Sequence, residues 1–161
     1  MDLSKLSVTP EQERFFHEIR VDSNPGMKAI CESVLHDMAV LDSKSAALLT
    51  FISVVIAGLI FSLGLVDAQA PFVHFIRGGI FGFMALFAFA AWIDLRCLYT
   101  LGPSQFPSDA KGDDFERISL LELSRRRNKY MLALYISETG FLLILPFALV
   151  WGLLAFRQML S

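Results

Sequence analysis

The sequence is short of the residues on which most metal and catalytic sites are built. Its 161 residues include three histidines, His17, His36 and His74, and two cysteines, Cys31 and Cys97. The cysteines are far apart with no C-x-x-C context, and a secreted disulfide framework needs more of them. The expectation is two free thiols in a reducing compartment. His36-Asp37 has no second His or Cys at ligand spacing, so it reads as a polar-face pair, with no metal and no cofactor expected. G-x-S-x-G, H-E-x-x-H and phosphate-loop signatures are all missing, which points to a non-enzymatic protein. Charge is scarce too. Only 19 % of residues are charged and the net charge is −2, so no nucleic-acid polymer is expected as a partner. There is no strand-period run, no internal repeat, and no apolar block behind a basic start of the kind that marks a signal peptide.

What the chain has in quantity is apolar residues. They make up 55 % of it, with 15 Phe, and mean hydropathy is +0.55. This composition excludes disorder and places the chain in a membrane. Ala46–Val66, AALLTFISVVIAGLIFSLGLV, carries no charge, and at about 1.5 Å per residue it makes roughly 31 Å of helix, enough for a hydrocarbon core. Gly78–Ile93 is a second apolar run between Arg77 and Asp94, expected to continue as helix through Leu98 until Gly102-Pro103 stops it. Thr139–Phe156 is a third, with a start near Tyr130 and with Pro146 mid-span, where a kink near Leu142 is expected.

Lys and Arg set the expected direction. Five precede the first span (Lys5, Arg14, Arg20, Lys28, Lys44). Seven lie between the second and third (Arg96, Lys111, Arg117, Arg125, Arg126, Arg127, Lys129). Only Arg77 and Arg157 lie on the other side. This places the N-terminus in the cytosol and the C-terminus outside.

The segments on the basic side read as helices. Thr9-Pro10-Glu11-Gln12 has the form of a capping box with Pro at the first helical position. After Asn24-Pro25, a second helix start, Met27, Ile30, Cys31, Val34, Leu35, Met38 and Leu41 recur at three- and four-residue steps. This stripe must bury against the loop helix, a partner copy or the membrane surface. Asp113 and Glu116 open a further amphipathic piece, Phe115–Leu123, ahead of the basic run Arg125–Lys129. The expected fold is therefore an all-α integral membrane protein of three transmembrane helices with a small cytosolic layer of amphipathic helices. The expected division is 1–44 for the cytosolic helices, 45–66, 77–98 and 130–157 for the spans, and 99–129 for the loop and its helix.

Six charged residues at the cytosolic mouths of the spans are candidates for ligand binding or coupling: Asp42, Lys44, Arg96, Arg127, Lys129 and Glu138. Glu138 either sits at the interface or contacts Arg96 or Asp94 at the end of span two. The basic run either contacts anionic lipid or, with Lys44 and Arg96, binds a cytosolic phosphate. Gly58/Ser62, Gly78/Gly82 and Ala148/Gly152 have the small-xxx-small spacing that lets helices approach closely.

LDSKSAALLTFISVVIAGLIF at Leu41–Phe61 resembles the start of a family of small bacterial membrane proteins that includes the transmembrane effectors of cyclic-nucleotide anti-phage systems (Pycsar type). An Asp-x-Lys-Ala-x-x-Leu-Leu motif leads into that family's first span. Asp42, Lys44, Leu48 and Leu49 match it, and Ser45 stands where the family has Ala. Arg127-Asn128-Lys129-Tyr130 is similar to the lead-in to the family's last span. The third span and the GPSQFPSDAKGDD connection depart from the pattern. The resemblance implies a bacterial inner-membrane effector in which cytosolic helices couple a small-molecule ligand or a partner to the spans; beside the lipid bilayer, the expected partner is a second copy of the chain or another membrane protein. The near absence of unpaired polar groups within the spans supports another reading, an accessory or scaffold subunit of a larger inner-membrane transport or respiratory complex.

Overall fold

The computed structural model describes residues 8–21, 27–66, 72–98 and 112–159. Among the described residues there are four helices and no strand: α1 Pro10–Val21, α2 Met27–Leu65, α3 Val73–Leu95 and α4 Gly112–Met159. Three stretches are long and apolar enough to cross a membrane, Glu32–Leu65, Val73–Leu95 and Arg117–Leu153. Asn24-Pro25 and the Gly102-Pro103 stop lie outside the described residues, as do the side chains of Met27, Ile30, Cys31, Asp113 and Glu116.

The boundaries expected at residues 44 and 129 fall inside unbroken helices. α2 has 39 residues and α4 has 48, roughly 58 and 72 Å at 1.5 Å per residue. Both are about twice the length that a bilayer core needs, so each joins an amphipathic half, here the layer, to an apolar half long enough to be a span in one rod. The reason is local. No Gly or Pro interrupts Met27–Ala57 or Asp113–Thr139, so nothing ends the helix where hydropathy changes. α4 also continues through Pro146. α3 begins earlier and ends earlier than the 77–98 expected. Its last turn is tightened by a bond from the Cys97 N–H to the Asp94 carbonyl at 2.8 Å, a three-residue closure of the kind that ends helices.

One periodicity runs through all three long helices. The inward positions of α3 are Val73, Ile76, Ile80, Phe83, Phe87, Ala90, Asp94 and, in the turn beyond, Cys97. Those of α2 run Val34, Met38, Leu41, Ser45, Leu48, Ile52, Val55, Leu59. Those of α4 run Ser119, Leu123, Arg126, Tyr130, Ala133, Ser137, Gly140, Ile144, Phe147, Trp151. Alternating steps of three and four make a seven-residue repeat, the pattern by which bundled helices keep one seam facing their partners.

Apolar seam residues form two clusters. The larger is built around Ile52, Ile80, Phe87 and Ala133 within the apolar segments. The smaller joins Val34 and Leu41 of α2 to Leu120 and Leu123 of α4, with Cys97, and Tyr130 touches both. Of the amphipathic stripe of α2, Val34, Met38 and Leu41 thus pack on the first part of α4, whereas Leu35 is exposed.

α1 packs against both α2 and α4. Its capping box forms as the sequence indicates. The Thr9 N–H donates to Gln12 Oε1 at 2.9 Å and the Gln12 N–H to Thr9 Oγ1 at 3.3 Å. A short strap ahead of it is pinned to α4. The Val8 N–H donates to Asn128 Oδ1, and the Val8 carbonyl accepts from Ser124 Oγ and Asn128 Nδ2.

The glycines that bring helices together are Gly79 and Gly140. A Cβ on Gly79 would overlap the Phe147 ring, and one on Gly140 would come within 3.0 Å of Leu86 and 3.2 Å of Phe87. The spaced pairs that the sequence offered are turned elsewhere. Gly58, Gly78, Gly82 and Gly152 meet nothing within 4 Å, Ala148 is exposed, and Ser62 Oγ bonds back to the Gly58 carbonyl. Helix spacing alone does not say which face turns inward, and here the seam of α3 passes through Ile76, Ile80 and Phe83, leaving Gly78 and Gly82 outside it.

Candidate functional site

The seam is apolar along the spans and turns polar at the level where they meet the layer. Ser45 of α2, Asp94 and Cys97 of α3, and Arg126 and Tyr130 of α4 are all seam positions, so helical periodicity directs them inward. Asp94 and Ser45 are fully buried. The Ser45 hydroxyl faces the Asp94 carboxyl and the Cys97 thiol, yet neither Asp94 oxygen nor Ser45 Oγ closes a hydrogen bond. Ser45 differs in this from Thr50, Ser53, Ser62 and Ser137, each of which donates to the carbonyl four residues back at 2.8–2.9 Å. That back-bond is the usual way for a hydroxyl to be satisfied in an apolar helix. A buried carboxylate without a partner is costly and is characteristic of functional positions in membrane helices.

One turn further into the layer, Arg126 ties α4 to α2. Its Nε donates to Glu122 Oε1 at 3.0 Å and its Nη1 to Asp42 Oδ1 at 3.4 Å, while its carbonyl accepts from Cys97 Sγ at 3.3 Å. Cys97 is a free, buried thiol.

Arg127, turned about 100° around the helix, ties α4 to α1 and α2 together. Its Nη1 lies 2.8 Å from Glu13 Oε1 and its Nη2 3.5 Å from Asp37 Oδ2. Glu13 is fully buried, and the approach of Arg127 lies off the line of a hydrogen bond, so both carboxylate oxygens remain without one. Burial pushes the Glu13 carboxyl above the ordinary carboxylate range. The Arg127 charge opposes this, and the Asp37 carboxylate adds to it. His17, one turn along α1, shares a 2.9 Å hydrogen bond between its Nδ1 and Ser33 Oγ, and its Nε2 lies 4.0 Å from Asp37.

These contacts sort the six sequence candidates. Asp42 and Arg127 belong to the junction. Lys129 is at its edge, donating to the Arg96 carbonyl at 3.2 Å. The Arg96 guanidinium stacks 4.5 Å over Trp92 on the outer face. Lys44 and Glu138 are exposed and, among the described residues, have no ion pair or side-chain hydrogen bond; Glu138 reaches neither Arg96 nor Asp94. The residues that complete the junction are Glu13, His17, Ser45, Cys97, Glu122 and Arg126, and of these the sequence marked only Arg126, as part of the basic run. The signal for three of them was present: extending the Val34–Leu41 stripe at the same steps reaches Ser45, and the same count marks Cys97 and Arg126.

Among the described residues no group of three or more His, Cys, Asp and Glu gathers as a metal site would. The arrangement is a set of polar ties between helices, holding one unbonded carboxyl–hydroxyl pair at its centre. No protein-family model, curated protein or solved structure matches the chain.

Proposed function

We propose that the chain is a non-enzymatic protein of the bacterial inner membrane, with its N-terminus in the cytosol and its C-terminus outside. In this reading α1 and the layer halves of α2 and α4 receive a small-molecule ligand or a partner, and displacement passes into the spans and impairs the bilayer. The observation that carries the reading is continuity: two of the three spans are rods shared with the layer, and the polar ties of Arg126 and Arg127 lock α1, α2 and α4 where layer becomes span. An anchor alone would not need unbroken helices held by buried charges.

The test is uncoupling. Three glycines inserted after Lys44 break the α2 rod, because glycine is the weakest helix former after proline. In cells induced to express the protein, the wild type is expected to depolarise the membrane and the insertion variant to insert normally without depolarising. Equal depolarisation by both, or none by the wild type, overturns the reading. Periplasmic reporters fused at Ser161 are expected to be active, and cytosolic ones inactive.

A second reading, an accessory subunit of a larger membrane complex, is favoured by one observation. Gly58, Gly78, Gly82 and Gly152 present open small-residue surface outward, where another membrane helix, from a second copy or a different subunit, could pack. Gly78→Leu and Gly82→Leu together are expected to dissociate a complex held there and to leave a monomer's melting unchanged.

A further inference from the structure

The three consecutive arginines have different surroundings. Arg126 is committed to Glu122 and Asp42, and Arg127 to Glu13 and Asp37. Arg125 is exposed and has no ion pair or side-chain hydrogen bond among the described residues. Lys129, one turn further on the same face, gives its ammonium to a backbone carbonyl and has no ion pair among the described residues. Both cations line a groove of about 570 Å³ between the Val8–Pro10 strap and α4, with Leu121 and Leu132 as apolar floor and, among the described residues, no carboxylate in its lining. Asn128 and Ser124 already satisfy the strap's Val8 N–H and carbonyl, so the wall stands without a ligand.

The height of the groove selects its occupant. Counting from Tyr130, where the third apolar segment starts, Lys129 lies about 1.5 Å and Arg125 about 7.5 Å along the helix on the layer side. The polar headgroup zone of one leaflet is roughly 5–8 Å deep, so the two charges bracket the level of lipid phosphates, and Leu132 lies just below them. The cleft above, lined by Arg14, Arg117 and Glu11, is different. Arg117 is about 20 Å from Tyr130, beyond a lipid's reach, and Glu11 brings a carboxylate of its own.

We infer that this groove is a binding site for an anionic phospholipid, its phosphate held between Arg125 and Lys129 and its apolar part laid against Leu132. The inference rests on the membrane reading above. It gives the basic run two roles: Arg126 and Arg127 hold the protein together, and Arg125 and Lys129 hold it to one lipid class.

The full chain, purified in uncharged detergent, is titrated with phosphatidylglycerol or phosphatidylcholine in mixed micelles, and bound lipid is read by native mass spectrometry. Phosphatidylglycerol is expected to be retained in preference. Arg125→Gln and Lys129→Gln are each expected to weaken retention about fivefold, as removal of one charge at an anionic surface does. Arg117→Gln and Arg77→Gln are expected to leave it unchanged, with melting unaltered in Arg125→Gln because that side chain is exposed. Equal retention of the two lipids, or a loss in Arg117→Gln as large as in Arg125→Gln, overturns the site. Protection from heat by inorganic phosphate that matches phosphatidylglycerol makes the ligand soluble and overturns the lipid assignment. Alkaline carbonate extraction of the expressing cells separates the two levels. Release into the supernatant overturns the membrane reading and the site with it, whereas a retained chain with unselective lipid binding overturns the site alone.

Discussion

The two ends of the same seam are held by opposite means. At the layer end the inward positions are Ser45, Asp94, Arg126 and, beside them, the buried Glu13. Along the spans they are Phe87 against Gly140, with Phe83 and Phe147 meeting edge to face at 5.4 Å. Charge pairs are directional and fail when one member is removed, because the other is left buried and unpaired. Apolar packing is adaptable, and its cost follows volume. The layer end therefore fixes which rotation of each helix is native, and the span end supplies most of the contact. Substitutions at the two ends should differ both in size and in what rescues them.

The largest effect is expected at Arg127. Arg127→Met leaves Glu13 buried without its cation and should destabilise the layer by about 3 kcal/mol, the lower end of the range for breaking a buried pair, because the Arg127 side chain is itself partly exposed. Adding Glu13→Gln should recover a substantial part, since the uncompensated charge is then gone. Melting of the single and double variants in detergent measures it, and additive losses would mean that the two residues are not coupled.

At the other end, Gly140→Val should cost about 1–3 kcal/mol by overpacking. Its branched side chain has to displace Phe87, which has no room because it is fully buried. Here rescue should come from volume: Phe87→Leu in the same chain should restore part of the loss. Rescue by volume at Gly140 and by charge at Glu13 is what separates the two ends, and exchange of the two behaviours would break the comparison.

How much of this was legible beforehand follows from the range of each interaction. The capping box at Thr9 was readable because all its atoms lie within four residues. The three helices long and apolar enough to span a membrane were readable because composition over about twenty residues suffices, and the Val34–Leu41 stripe because an amphipathic face needs only its own helix. Gly79 and Gly140 were not, because what makes them necessary is a ring or side chain from another helix. Arg125, Arg126 and Arg127 look alike in sequence. Turned about 100° apart on one helix, they reach the groove beside the Val8–Pro10 strap, α2 and α1 respectively, and which is which depends on the phase of the seam. That phase was in the sequence, in the three–four steps from Val34 through Ser45 and from Val73 through Asp94, but the steps cross the change from amphipathic to wholly apolar composition, where contrast between faces disappears.

A smaller effect is expected from pH. Glu13 binds its proton more tightly in the folded chain than in the unfolded one, because burial raises its pKa. The stability this contributes is full below the unfolded carboxylate range and falls as pH rises through the raised folded value. The layer should therefore lose stability as pH rises from the ordinary carboxylate range upward, and Glu13→Gln should flatten that slope. Arg127 faces Glu13 from α4, Asp37 from α2, and His17 lies on its own helix. Repeating the pH series in His17→Gln separates the histidine's titration from that of Glu13. A slope unchanged in Glu13→Gln but lost in His17→Gln would assign it to the histidine.

The smallest effects are expected at Lys44 and Glu138, and they test where the junction ends. Both lie at the mouths of the spans and both were reasonable members of a coupling cluster by position. Both are exposed and unpaired among the described residues, whereas Asp42, two residues from Lys44, is bonded to Arg126. Substitutions at exposed positions without partners usually fall within about 0.5 kcal/mol of neutral. Lys44→Ala and Glu138→Ala should therefore melt like the wild type, with Glu138→Ala slightly more stable if the carboxylate sits at the apolar boundary. Depolarisation by either variant should match the wild type, while Asp42→Asn, which weakens the tie from α2 to Arg126, should reduce it. Loss of depolarisation in Lys44→Ala or Glu138→Ala at unchanged stability would place the coupling at the outer rim of the spans, where a second copy or lipid supplies the missing partner, and would move it away from the buried seam.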